Sequence, residues 1–125
     1  MAISNTGSRL APCPKSPNCV CSQDSDEGHT ILPLSFDGEA AKAMARLKAA
    51  IGRMDRTKVV SERPDYLQLE FRSKLIGYVD DVEFLLDAQQ RKIHVRSASR
   101  VGRYDFGANR KRIEAVRAAF SSGGL

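Results

Sequence analysis

The feature that most constrains this chain is a change in hydrophobic period. Over residues 37–54 apolar side chains recur with helical spacing: Ala40, Met44, Leu47, Ile51 and Met54 fall on one stripe, with Lys42, Arg46, Lys48 and Arg53 off it. From Thr57 the period becomes two. TKVVSE is β-branched at its centre, and Arg63-Pro64-Asp65 makes a turn. YLQLEF then alternates, with Leu67, Leu69 and Phe71 on one side. YVDDVEFLLD places Val82, Phe84 and Leu86 on one face, and KIHVRSAS does the same with Ile93, Val95 and Ser97. The helical period returns from about residue 107 to Phe120, where Ile113, Val116 and Phe120 share a stripe before SSGG.

These signals predict an α+β fold: a four-stranded antiparallel sheet with two helices on one face, in the order α-β-β-β-β-α. Asp37 is the expected N-cap of the first helix, with Glu39 in its first turn. An irregular arm, residues 1–36, precedes the sheet and is expected to pack on it. Its run PCPKSPNCVCSQ is too rich in proline for a helix. Residues 37–120 form a single domain in this reading, and 121–125 a tail. No run approaches the roughly 20 apolar residues that span a bilayer. With no apolar stretch after the N-terminus, the expected location is cytoplasmic, the alternative being an exported form whose signal has been removed.

Matching the apolar faces of the last two strands pairs Phe84 with Val95, Val82 with Ser97, Asp80 with Ser99 and Glu83 with Arg96. A two-residue slip pairs Asp81 with Arg96 instead. Alternation sends Asp80 toward the core side, where a carboxylate needs a partner. Ser99, Arg100 and Arg103 are nearest in this reading.

Charge is unevenly spread. The net charge is +5, yet residues 91–117 carry nine Lys/Arg against two acids, Asp105 and Glu114. Such a field favours anionic partners. RSASRVGRYDFGANRKR runs from a strand end into a helix start. Gly102 and Gly107 permit positive φ, and Asp105 or Asn109 suits a cap. Arg110, Lys111 and Arg112 stand in the first turn, where the helix dipole disfavours cations, so something negative should compensate. It is either the chain's own Asp80, Asp81 and Asp105 or a bound anion. The segment has neither a GxxxxGK[ST] phosphate loop nor a GxGxxG fingerprint. Tyr104 and Phe106 are too few aromatics beside the basic residues to favour nucleic acid.

Three cysteines, Cys13, Cys19 and Cys21, cannot all pair within one chain. Their spacing with His29 is poor for zinc, and neither a metal nor a cofactor is expected. Cys13 and Cys19 are candidates for a disulfide closing a short loop in an exported protein, or Cys19 for a reactive thiol. No GxSxG elbow is present.

CPKSPNCVCSQ, YVDDVEFLLD and VRSASRVGRYDFGANRKRIEAVR together resemble the domain of unknown function 1499 family, over Cys13 to Phe120. The family pattern CP-x-SPNCVSSQ matches at Cys13 and Cys19, and Cys21 stands where a serine is usual. The resemblance directs attention to Asp80, Asp81, Arg96, Ser97, Ser99, Arg100, Gly102, Asp105, Gly107, Asn109 and Arg110. It implies no activity, and some relatives look exported or lipid-anchored. The functional expectation is binding of an anionic small molecule or partner segment at the junction 96–112, through Asp80, Asp81, Arg96, Ser97, Ser99, Arg100, Arg103, Asp105, Asn109 and Arg110. The alternatives are a small enzyme using Asp80 or Asp81 with the arginines and Cys19, and a structural or interaction domain with an internal Arg–Asp network.

Overall fold

The computed structural model describes residues 9–73, 77–102 and 105–122. Its elements are β1 (Cys19–Cys21), β2 (Leu34–Ser35), α1 (Ala40–Gly52), β3 (Thr57–Arg63), β4 (Tyr66–Arg72), β5 (Val79–Asp87), β6 (Lys92–Ser99) and α2 (Ala108–Ser122). The fold is α+β, with two helices and an antiparallel sheet. The sheet has six strands rather than the expected four, and the order becomes β-β-α-β-β-β-β-α. The arm is the source of the difference. β1 pairs with Arg96–Ala98 and β2 with Lys92–Ile93, both along the outer edge of β6. A four-stranded sheet would leave that edge with unpaired N–H and C=O groups, and the arm supplies their partners. Strands of three and two residues are too short to show a period, which is why the sequence reads as irregular there.

Within β3–β6 the pairing is the expected meander. Asp80 faces Ser99, Val82 faces Ser97, Glu83 faces Arg96 and Phe84 faces Val95. The strand alternation therefore sorts the sheet into two unlike faces. Leu67, Leu69, Phe71, Val82, Phe84, Ile93 and Val95 point to one side, where they form one core with Met44, Leu47 and Ile51 of α1 and Ile113, Val116 and Phe120 of α2. Both helices thus lie on one face. Helix α1 is shorter than the expected 37–54. Its N-cap is Glu39, not Asp37, and no side chain caps it, while Met54 packs on the core from beyond the helix end.

The other face carries Tyr66, Gln68, Glu70, Asp81, Glu83, Leu85, His94 and Arg96 by the same alternation. The arm crosses it. Leu10 packs with Cys21, Tyr66 and Leu85, with Cys13 against them, and a Cys13–Cys19 disulfide ties the crossing to β1. The arm is also held by the Leu10 N–H to Gln23 Oε1 at 2.7 Å and the Cys13 N–H to Asp24 Oδ2 at 3.0 Å.

The disulfide closes a loop with a sequence separation of 6. Loop-closure entropy for a ring of that size gives about 2 kcal/mol of stabilisation. Reduction is expected to lower the unfolding free energy by about that amount. Urea unfolding of oxidised and reduced protein checks this, the expected sign being a lower midpoint for the reduced form.

Candidate functional site at the strand–helix junction

The junction is built around Asn109, which is fully buried at the start of α2. Its Oδ1 accepts from Ser97 Oγ at 2.6 Å and from Arg112 Nη1 at 3.1 Å. Its Nδ2 lies 2.7 Å from Asp105 Oδ2, 2.9 Å from Ser99 Oγ and 3.1 Å from the Asn18 carbonyl. Asn18 Nδ2 donates in turn to the Gly102 carbonyl at 2.8 Å. One side chain therefore joins β6, the arm and α2. Ser97 and Ser99 both hydrogen-bond to Asn109 here.

Asp105 answers the question of what compensates the basic helix start. Its carboxylate accepts from the N–H of Gly107 at 2.9 Å and of Asn109 at 3.0 Å, capping α2. Burial pushes the Asp105 carboxyl up, but the Asn109 and Gly107 donors outweigh it and hold the carboxyl below its ordinary value. The chain's own acid thus occupies the helix N-terminus.

The arginines are dispersed rather than gathered on one anion. Arg100 is not at the helix start. It donates to Asp81 through Nη2 at 2.6 Å and Nε at 3.2 Å, and to Glu70 at 3.0 Å, on the sheet face away from the helices. Hydrogen bonding by Arg100 holds Glu70 below the usual carboxylate range. Arg110 donates to the Thr30 carbonyl at 2.9 Å, and Arg117 to the carbonyls of Leu32 and Pro33 at 2.7 and 2.8 Å. Much of the basic helix therefore fastens the arm. Arg96 stands 3.8 Å from Glu83 and reaches the Pro12 carbonyl at 3.4 Å, and its buried Nε has no hydrogen-bond partner among the described residues. Glu83 also accepts from Tyr66 Oη at 2.6 Å; burial and then this bond push the Tyr66 phenol up. Arg103 lies outside the described residues.

Asp80 faces the core side, as alternation requires, but its partner is Arg112, which sequence reasoning did not single out. Nη1 of Arg112 is 2.6 Å from Asp80 Oδ2, and the guanidinium lies over the Phe71 ring, 5.1 Å from its centroid. The signal was present in the helix period. Carrying the stripe of Ile113, Val116 and Phe120 back by one turn reaches Asn109, with Arg112 beside it on the sheet-facing side. Nε and Nη2 of Arg112 have no hydrogen-bond partner among the described residues.

Arg112 lines a cleft of about 510 Å³ with Ser73, Asp80, Ser99 and Asp105. Tyr78, Val101 and Phe106 complete the wall, and all three are exposed apolar residues. Phe106 is 90% exposed and sits at φ 53°, a left-handed conformation rarely taken by an aromatic residue. Gly102 and Gly107 flank it at φ 85° and 78°, the conformations expected of them.

A family model described as Protein of unknown function (DUF1499) matches residues 9–120. The chain belongs to the DUF1499 family. No curated protein and no solved structure matches it. In this DUF1499 protein the cysteines offer no thiol nucleophile. Cys13 and Cys19 are bonded to each other, and Cys21 is buried, with burial pushing its thiol up. The disulfide also removes the zinc set of three cysteines and His29. Asp24, Asp26 and His29 place one ligand atom each within 4.8 Å of one another. All three already have partners: His29 Nδ1 meets Asp26, its Nε2 meets the Ser16 carbonyl, and Asp24 accepts from Cys13.

Two expectations follow for this DUF1499 protein. Because the folded Asp105 carboxyl is depressed, its stabilisation is full above the unfolded value and disappears as pH falls through the folded one. Asp105→Ala should therefore cost about 1 kcal/mol at pH 7, a difference that narrows below about pH 4 in urea titrations. Phe106→Asn should raise the melting temperature, equivalent to about 0.5–1 kcal/mol, because asparagine tolerates positive φ and the exposed ring contributes little packing.

Proposed function

We propose that this protein is a binding domain whose ligand seat is the cleft at the junction 96–112, and that its ligand is an anionic small molecule or the anionic end of a partner segment. The observation that carries this reading is Arg112, which pairs with Asp80 through Nη1, lines the cleft, and has Nε and Nη2 without a hydrogen-bond partner among the described residues. Arginine presents two parallel donors to a carboxylate or phosphate, so this second, Nε–Nη2 edge suits such a group. Two carboxylates, Asp80 and Asp105, line the cleft beside this one guanidinium, so the reading rests on directed donors from Arg112 and not on net charge. Asp80 is paired with Arg112, and Asp105 is satisfied by backbone N–H groups.

Binding is favoured over catalysis by the state of the proposed reactive groups. Asp80 and Asp81 are held by Arg112 and Arg100, and Cys19 is in a disulfide. The internal Arg–Asp network of the structural alternative is extensive, but the cleft beside it favours a ligand. The disulfide supports an oxidising working compartment, and hence the exported alternative over the cytoplasmic one.

A thermal-shift screen of the oxidised protein with phosphate and carboxylate compounds tests the reading. A ligand at 100 times its dissociation constant should add about 2.7 kcal/mol. Arg112→Lys keeps a cation for Asp80 and removes the second donor edge, so it should fold and lose the stabilising response. A flat profile at millimolar concentrations, or a response unchanged in Arg112→Lys, would overturn it.

A further inference from the structure

Large apolar side chains stand exposed at six positions among the described residues: Leu32, Val59, Val60, Tyr78, Val101 and Phe106. Half of them line one cleft. Tyr78 and Val101 are each 55% exposed, and Phe106 more so. Scattered exposed apolar residues need no explanation, but clustering around a concavity marks a contact surface. Phe106 adds a separate observation. An aromatic ring at positive φ carries backbone strain, and its exposure means that no intramolecular packing offsets that strain. Asparagine or glycine would satisfy the turn with less strain. A contact of the ring with a bound molecule would offset that strain.

The same cleft is lined by Arg112, whose Nε and Nη2 have no hydrogen-bond partner among the described residues. Its walls therefore present an apolar rim together with one guanidinium, Arg112, and the carboxylates of Asp80 and Asp105 in one concavity. We infer that the ligand is an amphipathic organic anion, with a carboxylate or phosphate on Arg112 and an aryl or alkyl body against Phe106, Tyr78 and Val101. This rests on the binding reading above and narrows it: a bare inorganic anion would leave the rim uncovered. A volume of about 510 Å³ suits a small organic molecule, and the mixture of an apolar lining with few polar groups is usual for such sites. The inference therefore commits to a free small molecule rather than to a membrane surface bearing the same head group.

Isothermal titration with inorganic phosphate and phenyl phosphate, in parallel with acetate and phenylacetate, tests it on the oxidised protein. The aryl compound of each pair should bind at least tenfold more tightly, through the apolar area that it buries. Phe106→Ser should remove that preference, the affinity for each aryl compound falling toward that for its inorganic or unsubstituted partner. Its fold is checked by retention of the wild-type melting temperature or better, and Phe106→Leu, which keeps an apolar contact, should restore part of the preference. Equal affinity within each pair would overturn the amphipathic inference while the binding reading stood. Absence of binding by all four compounds would overturn both. Sedimentation with phosphatidylserine vesicles, without affinity for soluble phenyl phosphate, would also overturn the inference, because the exposed ring would then serve a lipid surface.

Discussion

The hydrogen bonds of Asn109 are the constraint on which the junction depends. A buried carboxamide is costly unless its donors and acceptor are met. Here they are met by groups from three separate pieces of chain: Ser97 and Ser99 of β6, the Asn18 carbonyl of the arm, and Asp105 before α2. These contacts fix where α2 begins, and that in turn fixes Arg112 one turn along, over Asp80. The cleft, the helix cap and the docking of the arm are consequences of the same set of bonds.

The charge pattern is better explained by this arrangement than by a large anion site. Buried acids on both sheet faces are each answered by an arginine from the basic segment. Asp80 takes Arg112 from the helix side, and Asp81 takes Arg100 on the other side. Such pairs break about even against apolar packing of the same volume, but removing one partner leaves an uncompensated charge. Arg110 and Arg117 have a different use, since they hold the arm through its carbonyl groups. Much of the positive charge of the described residues is therefore structural, and among them Arg112 is the basic residue that lines the cleft.

The arm makes the second sheet face viable. That face has a polar row, Gln68, Glu83 and Arg96, beside Tyr66 and Leu85. Leu10, Cys21 and the disulfide cover its apolar part. Without the arm, β6 would be an open edge and Leu85 and Tyr66 would face water.

The alternation of Leu67, Leu69 and Phe71, of Val82 and Phe84, and of Ile93 and Val95 determined the strands and their faces, because a one-residue slip would turn every apolar group outward; a two-residue slip keeps the faces, so the tertiary structure chose the Asp80–Ser99 register. The helical stripe of Ile113, Val116 and Phe120 determined α2, and its cap was legible as Asp105 or Asn109, of which the structure uses Asp105. By itself the sequence also carried the family, through three separated motifs. The tertiary structure alone decided which arginine meets which acid, since residues distant in the chain offered several equivalent pairings of similar energy. It also decided that CVC and LS are strands, because segments so short have no period and are strands only by virtue of the β6 edge. The cleft was illegible for the same reason: Tyr78, Phe106 and Arg112 become neighbours only when the end of β5 is brought against the start of α2.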